Sequence, residues 1–419
     1  MTDQGRRIPI VLLLLASCSS PSGTPNPNGA GGSAGAPANA GTGGATAMGG
    51  ASGASGATAT GGAPGAAGAM GDPPSDAGPP PSGDGGVTPV GATPPAAWTN
   101  VTANLAGMAS ECGNTPYLTA HPSRDVLITS VAKKGLWSSI DGGASWKQLW
   151  PTAGNDQITN RGSSIVFDPE HPDTFWESGI YNGPGVYRTT DGGATFTALG
   201  DAHHIDSVSV DLRDPQRQTL LAGGHEQTQT VYRSADGGRT WTNVGKNLPA
   251  GTNFCTNALV IDQNVHLVGC SGYAGGTDGV FRTTDGGKTW APATTAPAAA
   301  LPLWASDGTI YWSLVYDRGL IKSTDQGRTW TQTIQGNTLK TGHPIELPDG
   351  RIVAPGGKTL MISSDKGLSF QPTGEPMPFV PNSITYSPYR NAFFIEQFDC
   401  GDAVVAHAIS RAGFDYRRP

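Results

Sequence analysis

From residue 98 onward, apolar and polar positions alternate in short runs broken by Gly, Pro and Asp, the pattern of half-buried strands and tight turns. The runs come in threes. One set reads Ser164-Ile-Val-Phe-Asp168, a turn from Pro169 to Pro172, Thr174-Phe-Trp-Glu-Ser178, and then Gly185-Val-Tyr-Arg-Thr189. Similar triplets start near Tyr117, Val208, Leu259, Leu303, Ile345 and Ile384, which makes seven. The first hundred residues show no such pattern.

Six of the seven triplets end in the same motif, Ser/Thr-x-Asp-x-Gly-x-x-Trp/Phe, with its aspartates at Asp141, Asp191, Asp236, Asp285, Asp325 and Asp365. The spacing of 40 to 50 residues is that of propeller blades. Asp followed by glycine between two alternating strands predicts a hairpin turn, in which the carboxylate accepts backbone N–H groups of its own turn. The closing Trp or Phe is expected to fold into the blade core. In the seventh triplet, from Ser383 onward, the motif has lost its Asp and one residue. The expected fold is therefore all-β, a seven-bladed β-propeller.

The motif resembles the Asp-box, or BNR, repeat of sialidases, sortilin-type receptors, xyloglucanases and a photosystem assembly factor. That resemblance implies that the boxes lie on the blade periphery, between the third and fourth strands, and that their aspartates are structural. It also implies that ligands bind the opposite face, formed by the loops that enter each inner strand and those joining the second and third strands.

Ring closure leaves two readings. Residues 98–105, Trp-Thr-Asn-Val-Thr-Ala-Asn-Leu, match residues 241–248 at six of eight positions. The latter segment is the outer strand of the third blade, so the favoured reading places 98–105 as the missing outer strand of blade seven. In the alternative, 414–416 supplies that strand.

Composition divides the chain. Residues 1–18 carry a basic start (Arg6, Arg7), an apolar run too short to span a bilayer, and Leu15-Ala16-Ser17-Cys18. This resembles a bacterial lipobox, which implies a signal peptide and lipidation of Cys18. Ser19 follows where an inner-membrane retention signal has Asp, so the expected location is the outer membrane, with the domain surface-exposed or periplasmic. Residues 19–97 are Gly, Ala, Pro, Ser and Thr almost throughout, too poor in apolar surface to offset chain entropy. They are expected to be a disordered tether of roughly 50 Å r.m.s. span. Residues 98–419 then form the propeller domain. The net charge of −7, with no Lys/Arg cluster, argues against nucleic acid as a partner. No cofactor is implied, and the expected state is a monomer.

After Cys18 four cysteines remain, an even count in an exported chain. Cys255 and Cys270 flank a hairpin turning at Asp262-Gln263, and counting outward sets them opposite each other. Cys112 and Cys400 occupy the matching positions of blades one and seven, which adjoin in a closed ring. Two disulfides, Cys255–Cys270 and Cys112–Cys400, are expected; free buried thiols are the alternative. None of the four has a near CxxC or His partner, so no metal site is expected.

The loop-face positions carry the candidate chemistry. Arg161, Tyr181, His203, His204, His225, Arg318 and His343 are the candidate ligand-binding residues. Asp156, Glu177, Asp206 and Glu226 are the candidate acid/base carboxylates; Tyr316 and Asp317 on blade five and Glu396, Asp399 and Asp402 on blade seven complete the polar set. The richest pair of loops is on blade three, where the two loops are expected to lie side by side and bring two His and two carboxylates together. Sialidases clamp their substrate carboxylate with three arginines, the first in an Arg-Ile-Pro motif; here Arg7-Ile8-Pro9 lies in the signal segment, which argues against that activity. The expected function is binding of a glycan or protein ligand on the loop face. The alternative is a glycoside hydrolase or lyase acting on an extracellular polysaccharide.

Overall fold

The computed structural model describes residues 96–149, 158–271, 276–315, 318–335 and 342–417. Among them are seven four-stranded antiparallel sheets, one per blade. The expectations for Cys18, the signal segment, the tether up to residue 95, Asp156, Tyr316 and Asp317 lie outside the described residues.

Six blades take their strands in chain order. Blade two is Arg161–Phe167, Phe175–Ile180, Val186–Thr189 and Thr197–Ala198. Blade three is Ile205–Val210, Leu220–Gly224, Val231–Ser234 and Thr242–Asn243. Blade seven breaks the order. Its outer strand is Thr99–Asn100, which pairs with Ile409–Gly413 in the register Thr99↔Arg411 and Asn100↔Ser410. The N-terminal strand thus closes the ring. Phe414 and Tyr416 pack against Tyr386 instead. Two disulfides form as expected. Cys112–Cys400 joins the blades at the closure across 288 residues, and Cys255–Cys270 staples blade four across 15. Disulfides of this kind persist in oxidising compartments, so the chain is extracytoplasmic.

The repeated motif builds one turn six times. Asp141 Oδ1 accepts from Ser139 Oγ at 2.7 Å and from the Ser145 N–H at 2.9 Å, while Oδ2 accepts from Ser145 Oγ at 2.6 Å. The same three bonds recur at Asp191, Asp236, Asp285, Asp325 and Asp365. They hold the carboxyl of Asp285 down at about 2, chiefly through the Thr289 hydroxyl and N–H. The second glycine is fixed by space as well as by its positive φ. A Cβ on Gly143 would lie 2.7 Å from the Val101 Cβ, and one on Gly287 2.7 Å from that of Val244.

The motif aromatics differ from expectation in one respect. Three of the four motif tryptophans reach across to the preceding blade, while the Trp330 indole donates to the Gly327 carbonyl of its own turn. Trp146 Nε1 donates to the Val101 carbonyl at 3.0 Å, Trp241 to Leu199 at 2.8 Å, and Trp290 to Val244 at 3.1 Å. A buried indole needs an acceptor, and for these three it is a carbonyl of the neighbouring outer strand. Val101 holds the place in blade seven that Val244 holds in blade three, which explains the sequence match between residues 98–105 and 241–248.

At the inner strands, hydroxyl groups cap edge N–H groups of the next blade. Ser207 and Ser209 Oγ accept from Ala258 and Val260, and Ser383 Oγ and Thr385 Oγ1 accept from Leu118 and Ala120 across the closure. These bonds satisfy donors that no fifth strand is present to pair.

Candidate functional site

The loop face is opposite the motif turns, where the chain leaves each second strand and enters each inner strand. Arg161 opens the inner strand of blade two and pairs with Ile180, so Tyr181 emerges next to it. Tyr181 has φ 70° and is 41 % exposed, a bulky side chain held outward by a backbone that disfavours it. The Arg161 guanidinium is 4.8 Å from the Tyr181 ring centroid and 5.4 Å from that of Phe398. Its Nη1 donates to the Cys112 carbonyl at 3.2 Å, so the cation is anchored on the disulfide-bearing loop. Gly113 leaves the space; a Cβ there would meet Arg161 Cδ at 2.3 Å.

Blade three supplies the other wall. His204 has φ 61°, and its Nδ1 accepts the Tyr181 N–H at 3.1 Å, which assigns its proton to Nε2. Burial, and next the neighbouring His225, lower its basicity. His225 follows the second strand, and its N–H donates to the His204 carbonyl at 2.8 Å. The His225 ring bridges two partners: Nδ1 lies 2.9 Å from Asp206 Oδ2, and Nε2 lies 3.3 Å from the Tyr181 hydroxyl. With Nδ1 donating to the carboxylate, Nε2 is the acceptor for the phenol, a continuous phenol–imidazole–carboxylate chain. Glu226, at φ 49°, brings Oε1 to 3.9 Å from the same Nε2. Tyr181 and His204 each pack edge to face with His225 and lie tilted against one another, with centroids 4.9 to 5.4 Å apart.

The structure therefore brings together Arg161, Tyr181, His204, His225, Asp206 and Glu226. Other candidates lie elsewhere. His203 is exposed and donates Nδ1–H to the Asp201 carbonyl of its own loop at 2.8 Å. Arg318 is exposed on blade five, where its carbonyl accepts from Gln332. His343 is not a surface loop residue: it lines the central channel beside Tyr117, hydrogen-bonds the Ile384 carbonyl at 3.1 Å, and is pushed down to about 4 by burial. Glu177 is completely buried, and the sequence pattern misplaced it because its strand runs on to Ile180 before the loop begins. Its Oε2 accepts from Asn160 at 3.3 Å, and burial pushes its carboxyl up to about 8. Glu396 of blade seven repeats that arrangement with Asn382, again pushed up to about 8 by burial. Asp399 Oδ2 accepts the Gly401 N–H within a turn. Three participants were missed by sequence reasoning: Phe398, the Cys112 carbonyl, and Asn182, whose amide donates to Glu111 at 3.2 Å.

On the motif face, Asp168, Glu170 and His171 stand close enough to hold a metal ion. The Arg217 guanidinium already fills that place, donating to both Asp168 oxygens at 2.9 Å and to Glu170 at 2.9 Å. A bidentate pair of this kind is a structural clasp.

No family model matches the chain, and no curated protein matches it in sequence. Solved structures do. The GH74 xyloglucanase from Xanthomonas campestris superimposes with a TM-score of 0.51 at 17% identity, over 77% of this chain and 54% of that one. The extracellular domain of a one-component system from B. thetaiotaomicron superimposes with a TM-score of 0.53 at 12% identity, over 77% of this chain and 40% of that one. The chain spans about half or less of the length of these relatives. At such identities the likeness establishes the β-propeller fold and nothing about chemistry.

Proposed function

We propose that the protein is an outer-membrane lipoprotein carrying an Asp-box type propeller, and that its loop face binds a glycan over blades two and three. The observation that carries this reading is Tyr181. Its ring is exposed, held by a strained backbone and a cation, and surrounded by His204, His225, Asp206 and Glu226. An aromatic face stacks on the C–H face of a sugar, while the imidazoles and carboxylates meet its hydroxyl groups. A protein ligand is the other partner such a face takes. The carboxylates favour binding over two-carboxylate hydrolysis: Glu177 is sealed in blade two, and Asp206 is engaged by His225. A glycan array probed with the purified protein tests the reading. Binding to defined saccharides, lost in Tyr181→Ala, is expected; an array without hits, beside a protein captured through the same face, sinks the glycan assignment.

The hydrogen-bonded chain Tyr181–His225–Asp206 supports a second reading, acid–base catalysis on the bound saccharide. Tyr181→Phe separates the two. If the site only binds, the variant retains most affinity and no glycan that binds is cleaved. If it is catalytic, bound glycan is turned over by the parent protein and not by the variant.

A further inference from the structure

The inner strands of all seven blades enclose a central cavity of about 420 Å³, within the size range of small-molecule sites. Its walls are largely aliphatic, with Leu118, Ile165, Val208, Leu259 and Ile384 among them. Serine and threonine hydroxyl groups of these strands are spent on inter-blade bonds: those of Ser164, Ser209 and Thr385 each accept a neighbouring strand's N–H. The channel thus offers a body of apolar surface and few polar partners along its length.

Its motif-face end is different. Arg213, in the turn after the inner strand of blade three, reaches the Trp304 ring of blade five, with its guanidinium carbon 4.9 Å from the ring centroid. Both residues line the cavity. Arg213 Nη2 and Trp304 Nε1 are enclosed and have no hydrogen-bond partner among the described residues. Two neighbouring N–H donors without acceptors are costly to leave so, by about 1–3 kcal/mol each. The nearby acids are otherwise engaged. Asp211 Oδ1 accepts the Arg213 backbone N–H at 3.1 Å, and Asp214 accepts from Gln216 and Gln218. Glu346, on the blade-six side of the cavity, accepts from the Ser306 N–H at 2.8 Å and hydroxyl at 2.7 Å.

We infer that this channel is a second binding site, separate from the loop-face cluster, for a small amphipathic carboxylate. The aliphatic body lies along the strand walls, and the carboxylate accepts from the Arg213 guanidinium and the Trp304 indole as the guanidinium turns off the ring. A carboxylate suits the site because its two oxygens match two donors, one of them cationic. The ligand class is a single short hydrocarbon chain ending in that group.

Titration calorimetry of the purified protein with octanoate, octan-1-ol and acetate tests the assignment. Octanoate is expected to bind, octan-1-ol at least about tenfold more weakly, and acetate not measurably. Arg213→Met keeps the packing and removes the charge; it is expected to weaken octanoate at least about tenfold and leave octan-1-ol unchanged. If that variant does not fold, Trp304→Phe removes only the indole donor and is expected to weaken octanoate by a smaller factor. Equal binding of octanoate and octan-1-ol, no binding of octanoate, or octanoate binding unaffected by whichever variant folds would overturn the assignment. Glycan binding at Tyr181 is expected to be untouched by either variant, so failure at one site is distinguishable from failure at the other.

Discussion

The two faces of this propeller are made by the same blades under opposite rules. On the motif face, six carboxylates sit in near-identical cages of three hydrogen bonds. On the loop face the side chains differ from blade to blade apart from the buried Asn–Glu pairs of blades two and seven, and blades two and three bring their polar groups together around Tyr181. Strain is also spent differently. On both faces positive φ falls largely on glycine, but on the loop face it falls also on Tyr181, His204 and Glu226, which have no such freedom. Repetition marks what each blade needs in order to fold, and departure from it marks where the proposed ligand site lies.

Four experiments press on this contrast. The largest effect on stability is expected from Cys112→Ser with Cys400→Ser. Opening so long a loop costs about 5–6 kcal/mol by the loop-entropy model, read as a lower urea midpoint. The two faces are expected to diverge: loop-face binding weakens as Arg161 loses its anchor on the Cys112 carbonyl, while the Trp146–Val101 bond holds the motif face closed.

Titration is expected to act with opposite sign on the buried glutamates and on the motif aspartates. Glu177 and Glu396 are raised to about 8 in the fold, so their stabilisation is full below the ordinary carboxylate range and is lost as pH rises towards 8. Asp236 and Asp285 are lowered to about 2, so theirs is present above that range and is lost as pH falls towards 2. Stability is therefore expected to peak near pH 4–5, falling on the alkaline side by up to about 1.4 kcal/mol per pH unit per glutamate. Glu177→Gln flattens the alkaline branch of urea unfolding measured against pH; an unchanged branch contradicts the assignment.

The motif glycines give a smaller, sharper comparison. Gly143→Ala is expected to cost about 1–3 kcal/mol, because the new Cβ meets Val101 and the residue has φ +87°. Gly192→Asn is expected to stay within about 0.5–1 kcal/mol, since Gln326 and Lys366 already occupy the equivalent place at positive φ. Thermal melts distinguish the two. The smallest effect on stability, within about 0.5 kcal/mol, is expected for Tyr181→Ala, an exposed position. The same variant is expected to abolish glycan binding, and a variant that retains it moves the site elsewhere on the loop face.

The blade count, the motif turn, the closing strand and both cysteine pairs were legible because each rests on local periodicity or on equivalence between repeats. The match of residues 98–105 to 241–248 carried the ring closure, since Val101 and Val244 take equivalent places beside the next motif tryptophan. The loop face was legible only as a list. Nothing local tells whether Tyr181 reaches His225, forty-four residues on, or whether Glu177 stops short of the loop and is sealed among blade two's neighbours. His343 looked like a loop residue and became part of the channel wall because neighbouring blades fold over it. The sequence by itself determined the repeating unit, whose hydrogen bonds close within a few residues. Only the tertiary structure decided which side chains meet between units, because those distances depend on how seven twisted sheets are arranged around one axis.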